Sequence, residues 1–218
     1  MRLASISRYT LTAVVLLGQA ASAQTELVDR AVAAWANVKT VRATFEQTIM
    51  NPLTERTLIS RGEYQQRRPD KLSVVFVDPA QDRIVADGRN VWLYLASSTP
   101  DQVIKTAQGA SGTGTVDLSA QFLTAPHTRF NITPVGTLVV NDRPCHGFNF
   151  IPKSEANAPF KMASVWIDDE DATIRQFEVT DATGLQRRIR LLTFKTNGLV
   201  DERSFTFTVP KGVRVVER

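Results

Sequence analysis

The chain has 218 residues, 43% of them hydrophobic and 22% charged, with a formal net charge of +4. These are the proportions of an ordinary globular protein, and the length suits one domain with a core that needs no disulfide staple. Two of the positive charges, Arg2 and Arg8, belong to a segment read below as removed on export, which leaves +2 (4 minus 2) and excludes a nucleic-acid-binding footprint.

In chain order, the start reads as a secretory signal. Met1 to Arg8 is basic, Tyr9 to Gly18 is a short apolar run, and Ala21-Ser22-Ala23 offers small residues to a signal peptidase. The expected domains are therefore a cleavable signal peptide, residues 1–23, and one mature domain, residues 24–218, beginning at Gln24. The apolar run is shorter than the roughly 20 residues a spanning helix needs. No cysteine follows it to take a lipid, so the mature protein is expected to be soluble in the periplasm.

Thr25 to Lys39 carries Leu27, Ala31, Ala34, Trp35 and Val38 at helical spacing and predicts a helix capped by Thr25 and laid on a sheet. From Val41 the period changes to two. Val41, Ala43 and Phe45 alternate with polar residues, and Leu72, Val74 and Phe76 line one face of a later strand. Val91 to Leu95 is apolar on both faces and predicts a strand covered on both sides. Phe148 with Phe150, Val165 with Ile167, Phe177 with Val179, Ile189 with Leu191, and Phe205 with Phe207 repeat the alternation. Asp87-Gly88, Asn141-Asp142, Thr183-Gly184 and Asn197-Gly198 mark turns. Ala107 to Thr115, rich in Gly, Ser and Thr, predicts a flexible loop. Val116 to Thr124 predicts a short amphipathic helix bearing Leu118, Phe122 and Leu123 and ended by Pro126, and Pro152 to Pro159 predicts a second loop. The fold class is thus mainly β with helices: an antiparallel barrel or curved sheet.

Catalytic chemistry finds little footing. Gly109, Gly112 and Gly114 lack the spacing of a phosphate loop. The only histidines are His127 and His146, and the only cysteine is Cys145. Cys145 and His146 are adjacent, so on a strand they point to opposite faces, and a nucleophile pair needs them within hydrogen-bond reach. Asp168-Asp169-Glu170-Asp171 lacks a calcium-loop spacing and reads as a solvated turn. The expectation is no enzyme, no cofactor and no metal.

Several segments, taken in order, resemble the outer-membrane lipoprotein carrier (LolA) family. They are Phe45-Glu46-Gln47; Gly62 to Arg68-Pro69, similar to a G-x-x-x-x-x-R-P signature; Asp78-Pro79; Ile84 to Tyr94, similar to I-x-x-D-G-x-x-x-W-x-Y; Gln102-Val103; and Phe205 to Val213, similar to F-x-F-x-x-P-x-G-V. The resemblance implies an incomplete antiparallel β-barrel, covered by an N-terminal helix and a short lid helix around a hydrophobic cavity. It also implies a monomeric carrier that takes acylated lipoproteins from an inner-membrane ATP-binding-cassette exporter and passes them to an outer-membrane lipoprotein receptor. Within it, Arg68 would latch the lid by bonding lid carbonyls. Tyr64, Leu72, Val74, Phe76, Trp92, Tyr94, Phe148, Phe150 and Trp166 would line the acyl cavity, and Leu118, Phe122 and Leu123 would form the lid. Leu72 and Val74 stand where larger aromatics are common in the family. A carrier or sensor of other lipids or glycolipids on the same fold is the alternative.

Overall fold

The switch of apolar period from 3.6 to 2 near residue 40 is where the chain turns from helix to sheet. The computed structural model describes residues 15–109, 117–154, 156 and 158–218, with side chains from residue 26 onward. Helix α1 (Val15–Ala36) begins upstream of the expected start. Thr25, the expected cap, therefore falls within the helix and not at its start, because the Ala-, Leu- and Gln-containing run before it has good helix propensity of its own. Leu27, Val28, Ala31 and Trp35 form its buried stripe, and Val38 is buried just past its end. Ala34 is exposed. Among the described residues, no helix is long and apolar enough to cross a membrane.

Six strands follow: β1 (Thr40–Asn51), β2 (Arg56–Arg67), β3 (Lys71–Asp78), β4 (Ala80–Asp87), β5 (Asn90–Tyr94) and β6 (Gln102–Ala107). Two single-turn helices, α2 (Ala120–Leu123) and α3 (Pro126–Arg129), lead into β7 (Phe130–Val140), β8 (Arg143–Pro152), β9 (Met162–Asp168), β10 (Ile174–Thr180), β11 (Gln186–Thr196) and β12 (Arg214–Glu217). They form one sheet ordered β12-β6-β5-β4-β3-β2-β1-β11-β10-β9-β8-β7. Its two outer strands, β12 and β7, do not pair with each other among the described residues, so the barrel is incomplete as expected. Every ladder is antiparallel except β12 on β6.

Two features depart from the sequence reading. Phe205 and Phe207 are not on a strand: Glu202–Phe205 is a 3-10 turn, and the last strand comes later, at Arg214. Pro126 starts a helical turn instead of ending one, because Ala125 takes a left-handed conformation (φ 45°) that breaks the chain between α2 and α3. The expected loop at Ala107 to Thr115 lies outside the described residues from residue 110 on, as does Val116.

The core sits between the concave face of the sheet and α1, α2 and α3. One close approach shapes it. A Cβ on Gly62 would stand 2.6 Å from the Val75 carbonyl and 2.8 Å from the Phe45 ring. Only glycine lets Phe45 lie across β2 to meet Phe76 edge-on, with ring centroids 5.6 Å apart.

Candidate functional site

The cross-strand registers decide which side chains share the concave face, since directly paired residues point the same way. Tyr64 pairs with Val74, Val74 with Ile84 and Ile84 with Leu93, while Leu72 pairs with Ala86 and Phe76 with Gly62. On the other half of the sheet, Phe150 pairs with Ala163, Phe148 with Val165 and Val165 with Phe177. Tyr64, Leu72, Val74, Phe148 and Phe150 are buried in one continuous apolar cluster, and Phe76 packs on its edge.

A cover of the same chemistry plugs this face. Phe122 of α2 is fully buried and its ring lies 5.1 Å from Phe177, 5.8 Å from Phe160 and 5.9 Å from Phe150. Leu123 is buried beside it and Leu118 is half-buried. Next to α2, a cleft of about 370 Å³ opens between Leu118, Gln121 and Arg129 on one side and Phe177, Val179, Leu185 and Ile189 on the other. The apolar interior is thus filled when the cover is seated, and only its margin is open.

Two arginines fasten the cover: Arg129 of α3 donates from Nη1 to the Gln121 (3.0 Å) and Thr124 (3.2 Å) carbonyls, and a second cluster forms around Arg68. Arg68, at the end of β2, donates from Nη1 to the carbonyls of Trp35 (2.7 Å) and Val38 (3.0 Å) at the C-terminal end of α1. Its guanidinium lies over the Trp35 ring, 5.0 Å from the centroid. Its Nε faces Asp117 Oδ2 at 3.2 Å. Asp117 Oδ1 accepts from the Ser119 N–H (3.0 Å) and the Ala120 N–H (2.8 Å), which caps α2. Burial pushes the Asp117 carboxyl above its ordinary value, against the opposing pull of the Ala120 N–H, the Gln66 side-chain amide and Arg68. Burial likewise pushes the Tyr64 phenol far up, and it stays neutral while donating to Gln66 Oε1 at 2.9 Å. The carbonyls that Arg68 bonds belong to α1 and the turn just after it, not to the α2 segment; its contact with α2 runs through the Asp117 carboxylate instead.

Three expected cavity residues lie on the other face. Trp92 pairs with Val85, Tyr94 with Arg83, and Trp166 with Gly147 and Gln176, each out of phase with the core positions beside it. Trp92 stacks on Phe207 (5.5 Å) and donates to Asp87 Oδ2 (2.9 Å), and Tyr94 meets Phe207 at 6.1 Å. Trp166 lies against Gly147, where a Cβ would be 2.8 Å from its indole nitrogen. Alternation within a strand leaves open which parity faces the cover, and Trp92 and Tyr94 lie under the Phe207 segment instead.

The acidic run is not a solvated turn throughout. Asp168 is fully buried, held by Arg143 Nε at 2.6 Å and Arg175 Nε at 3.0 Å. Burial raises its carboxyl, but the bonds from Arg143, the Glu170 and Asp171 N–H groups and Arg175 outweigh that and pull it down to about 2. Cys145 is buried, donates to the Arg143 carbonyl, and has its thiol pushed up to about 11 by burial. His127 pairs with Asp29 and His146 with Asp169. Sequence reasoning missed Asp117 and Trp35 as partners of Arg68. A signal for the first was present: Asp117 stands just before Ser119-Ala120, a helix-capping spacing.

The sequence pattern of the family described as outer membrane lipoprotein carrier protein LolA matches residues 36–208. The chain belongs to the LolA family. The outer-membrane lipoprotein carrier protein of Leptothrix cholodnii is 26% identical over 182 residues, 84% of this chain and 81% of its own length. That of Pectobacterium atrosepticum is 27% identical over 177 residues, 81% and 80% of the two chains. Among solved structures, a conserved protein from Thermus thermophilus matches with a TM-score of 0.55 at 18% identity, over 90% of this chain and 99% of its own. MucB matches with a TM-score of 0.51 at 16% identity, over 86% and 63%. At those identities the two structures show the fold alone. The LolA family is one of periplasmic lipoprotein carriers, and this protein is a periplasmic member of it.

Proposed function

We propose that this protein binds the acyl chains of lipoproteins released from the inner membrane by an ATP-binding-cassette exporter, carries them through the periplasm and delivers them to an outer-membrane lipoprotein receptor. The observation that carries the reading is the seating of Phe122 on Phe150, Phe160 and Phe177. An apolar plug on a short, separately fastened segment can be exchanged for acyl chains of the same chemistry. At about 0.8 kcal/mol per CH₂, a chain of about 15 such groups costs about 12 kcal/mol to expose to water. A carrier has to hide that surface and still release it, which an apolar face with a returning cover achieves. Export would remove residues 1–23 and leave the last turns of α1, with Leu27, Val28, Ala31 and Trp35 still in the core.

Mixing the mature protein with a purified lipoprotein in acylated and unacylated forms tests this. Binding of the acylated form alone, followed by its transfer to receptor-bearing membranes, is expected. Equal binding of both forms would overturn the reading, and binding of phospholipid in preference to lipoprotein would replace it with the carriage of other lipids.

A further inference from the structure

We propose that Asp117 makes closure of the lid conditional on Arg68: the lid carries a carboxylate that the closed barrel tolerates only while the guanidinium covers it. This rests on the lid reading above and assigns a positioning residue to it.

The two partners are not equivalent. The Asp117 side chain is 8% exposed and that of Arg68 is 28% exposed. Arg68 has other bonds that hold it in place, to the Trp35 and Val38 carbonyls, and it keeps contact with water. Asp117 commits Oδ1 to the Ser119 and Ala120 N–H groups, so its position is tied to α2 and moves with it. Oδ2 is then left for Arg68, the one cation paired with it among the described residues. From the other described elements around it come only neutral groups, Tyr64 and the amide of Gln66 on β2.

A buried charge that loses its partner destabilises the state that buries it, whereas removing both charges is often neutral. Displacing Arg68 therefore leaves the lid two choices: to bury a bare carboxylate or to take it into water by opening. The burial-driven rise of the Asp117 carboxyl has the same sense. Its affinity for a proton is higher in the closed lid than in an open, solvated one, so protonation favours closure and that contribution is lost as pH rises.

The test is a rescue. Binding of the dye anilinonaphthalene sulfonate to the mature protein reports open apolar surface and needs no lipoprotein, so its outcome is separate from that of the carrier reading. At neutral pH, Arg68→Leu should raise apparent dye affinity by about tenfold or more. Asp117→Asn alone, which keeps a capping oxygen, should stay within about threefold of wild type. The double variant should return to the wild-type range. On acidification towards the ordinary carboxylate range, Arg68→Leu should lose its excess dye binding while the double variant does not change. Arg68→Met and Asp117→Ser provide the same comparison if either first variant fails to fold, with far-ultraviolet circular dichroism as the control. A double variant as avid for dye as Arg68→Leu, or an Arg68→Leu signal indifferent to pH, would overturn the proposal.

Discussion

The two faces of the sheet carry the same kind of residue to different ends. On the concave face Phe150, Phe160 and Phe177 lie under α2, a single turn held by polar contacts from Arg68 and Arg129. On the convex face Val85, Trp92 and Val103 lie under the segment of Phe205 and Phe207, which continues into β12 and is paired to β6. A cover locked into the ladder on one side makes ordinary core; a cover held by a few polar contacts makes a site. On the proposed reading, what distinguishes cavity from core is the fastening of the cover and not the apolarity of the floor.

The largest contrast is expected from Arg68. Arg68→Leu should cut delivery of acylated cargo to receptor membranes to about a tenth or less, since a lid that cannot re-close does not expel its cargo. Arg67→Leu breaks only an exposed pair with Glu202 and should deliver like wild type. Equal defects in a transfer assay would erase the distinction between latch and rim.

Next come two phenylalanines, one from each cover. Phe122→Ala and Phe205→Ala each empty a fully buried site, and such truncations cost about 3–5 kcal/mol where the site cannot collapse. The loss at Phe205 should appear in global unfolding by denaturant. The loss at Phe122 should appear first as easier acyl-probe binding, with a smaller shift of the unfolding midpoint. If both variants shift the midpoint alike and neither changes probe binding, the two faces are equivalent.

Asp168 offers a pH comparison away from both covers. Its carboxyl is depressed to about 2, so its contribution to stability is present above the ordinary carboxylate range and is lost as pH falls through that value. Asp168→Asn should lower Tm near neutrality, and the gap to wild type should narrow between about pH 5 and pH 2 in thermal melts. The smallest effect is expected at His127→Ala. That residue joins α3 to α1 only through an exposed pair with Asp29, so stability should change by under about 1 kcal/mol and transfer should be unaltered.

The sequence made part of this legible. Alternation put Leu72, Val74 and Phe76 on one face, although Val75 and Val77 stand on the other beside Lys71 and Ser73, and the pairing of Leu72 with Ala86, Val74 with Ile84 and Phe76 with Gly62 shows that the first three face the core. It misassigned Trp92 and Tyr94, since β5 is apolar on both sides and only the pairing of Trp92 with Val85 shows which way the indole points. Arg68 stood out through the motif at Arg68-Pro69. Asp117 could be seen as a cap, but not that it and Trp35 meet Arg68, because they lie 49 residues after and 33 residues before it and come together only once the sheet has curled. For the same reason Asp168 read as solvated: its guanidinium from Arg143 is 25 residues away.

Native mass spectrometry of the mature protein, isolated from the periplasm of its own cells without detergent, tests the carrier reading most directly. A complex at one-to-one stoichiometry with triacylated lipoproteins is expected, weakened when lipoprotein acylation is blocked. Recovery of the protein with phospholipid alone, with the lipoproteins left in the inner membrane, would contradict it.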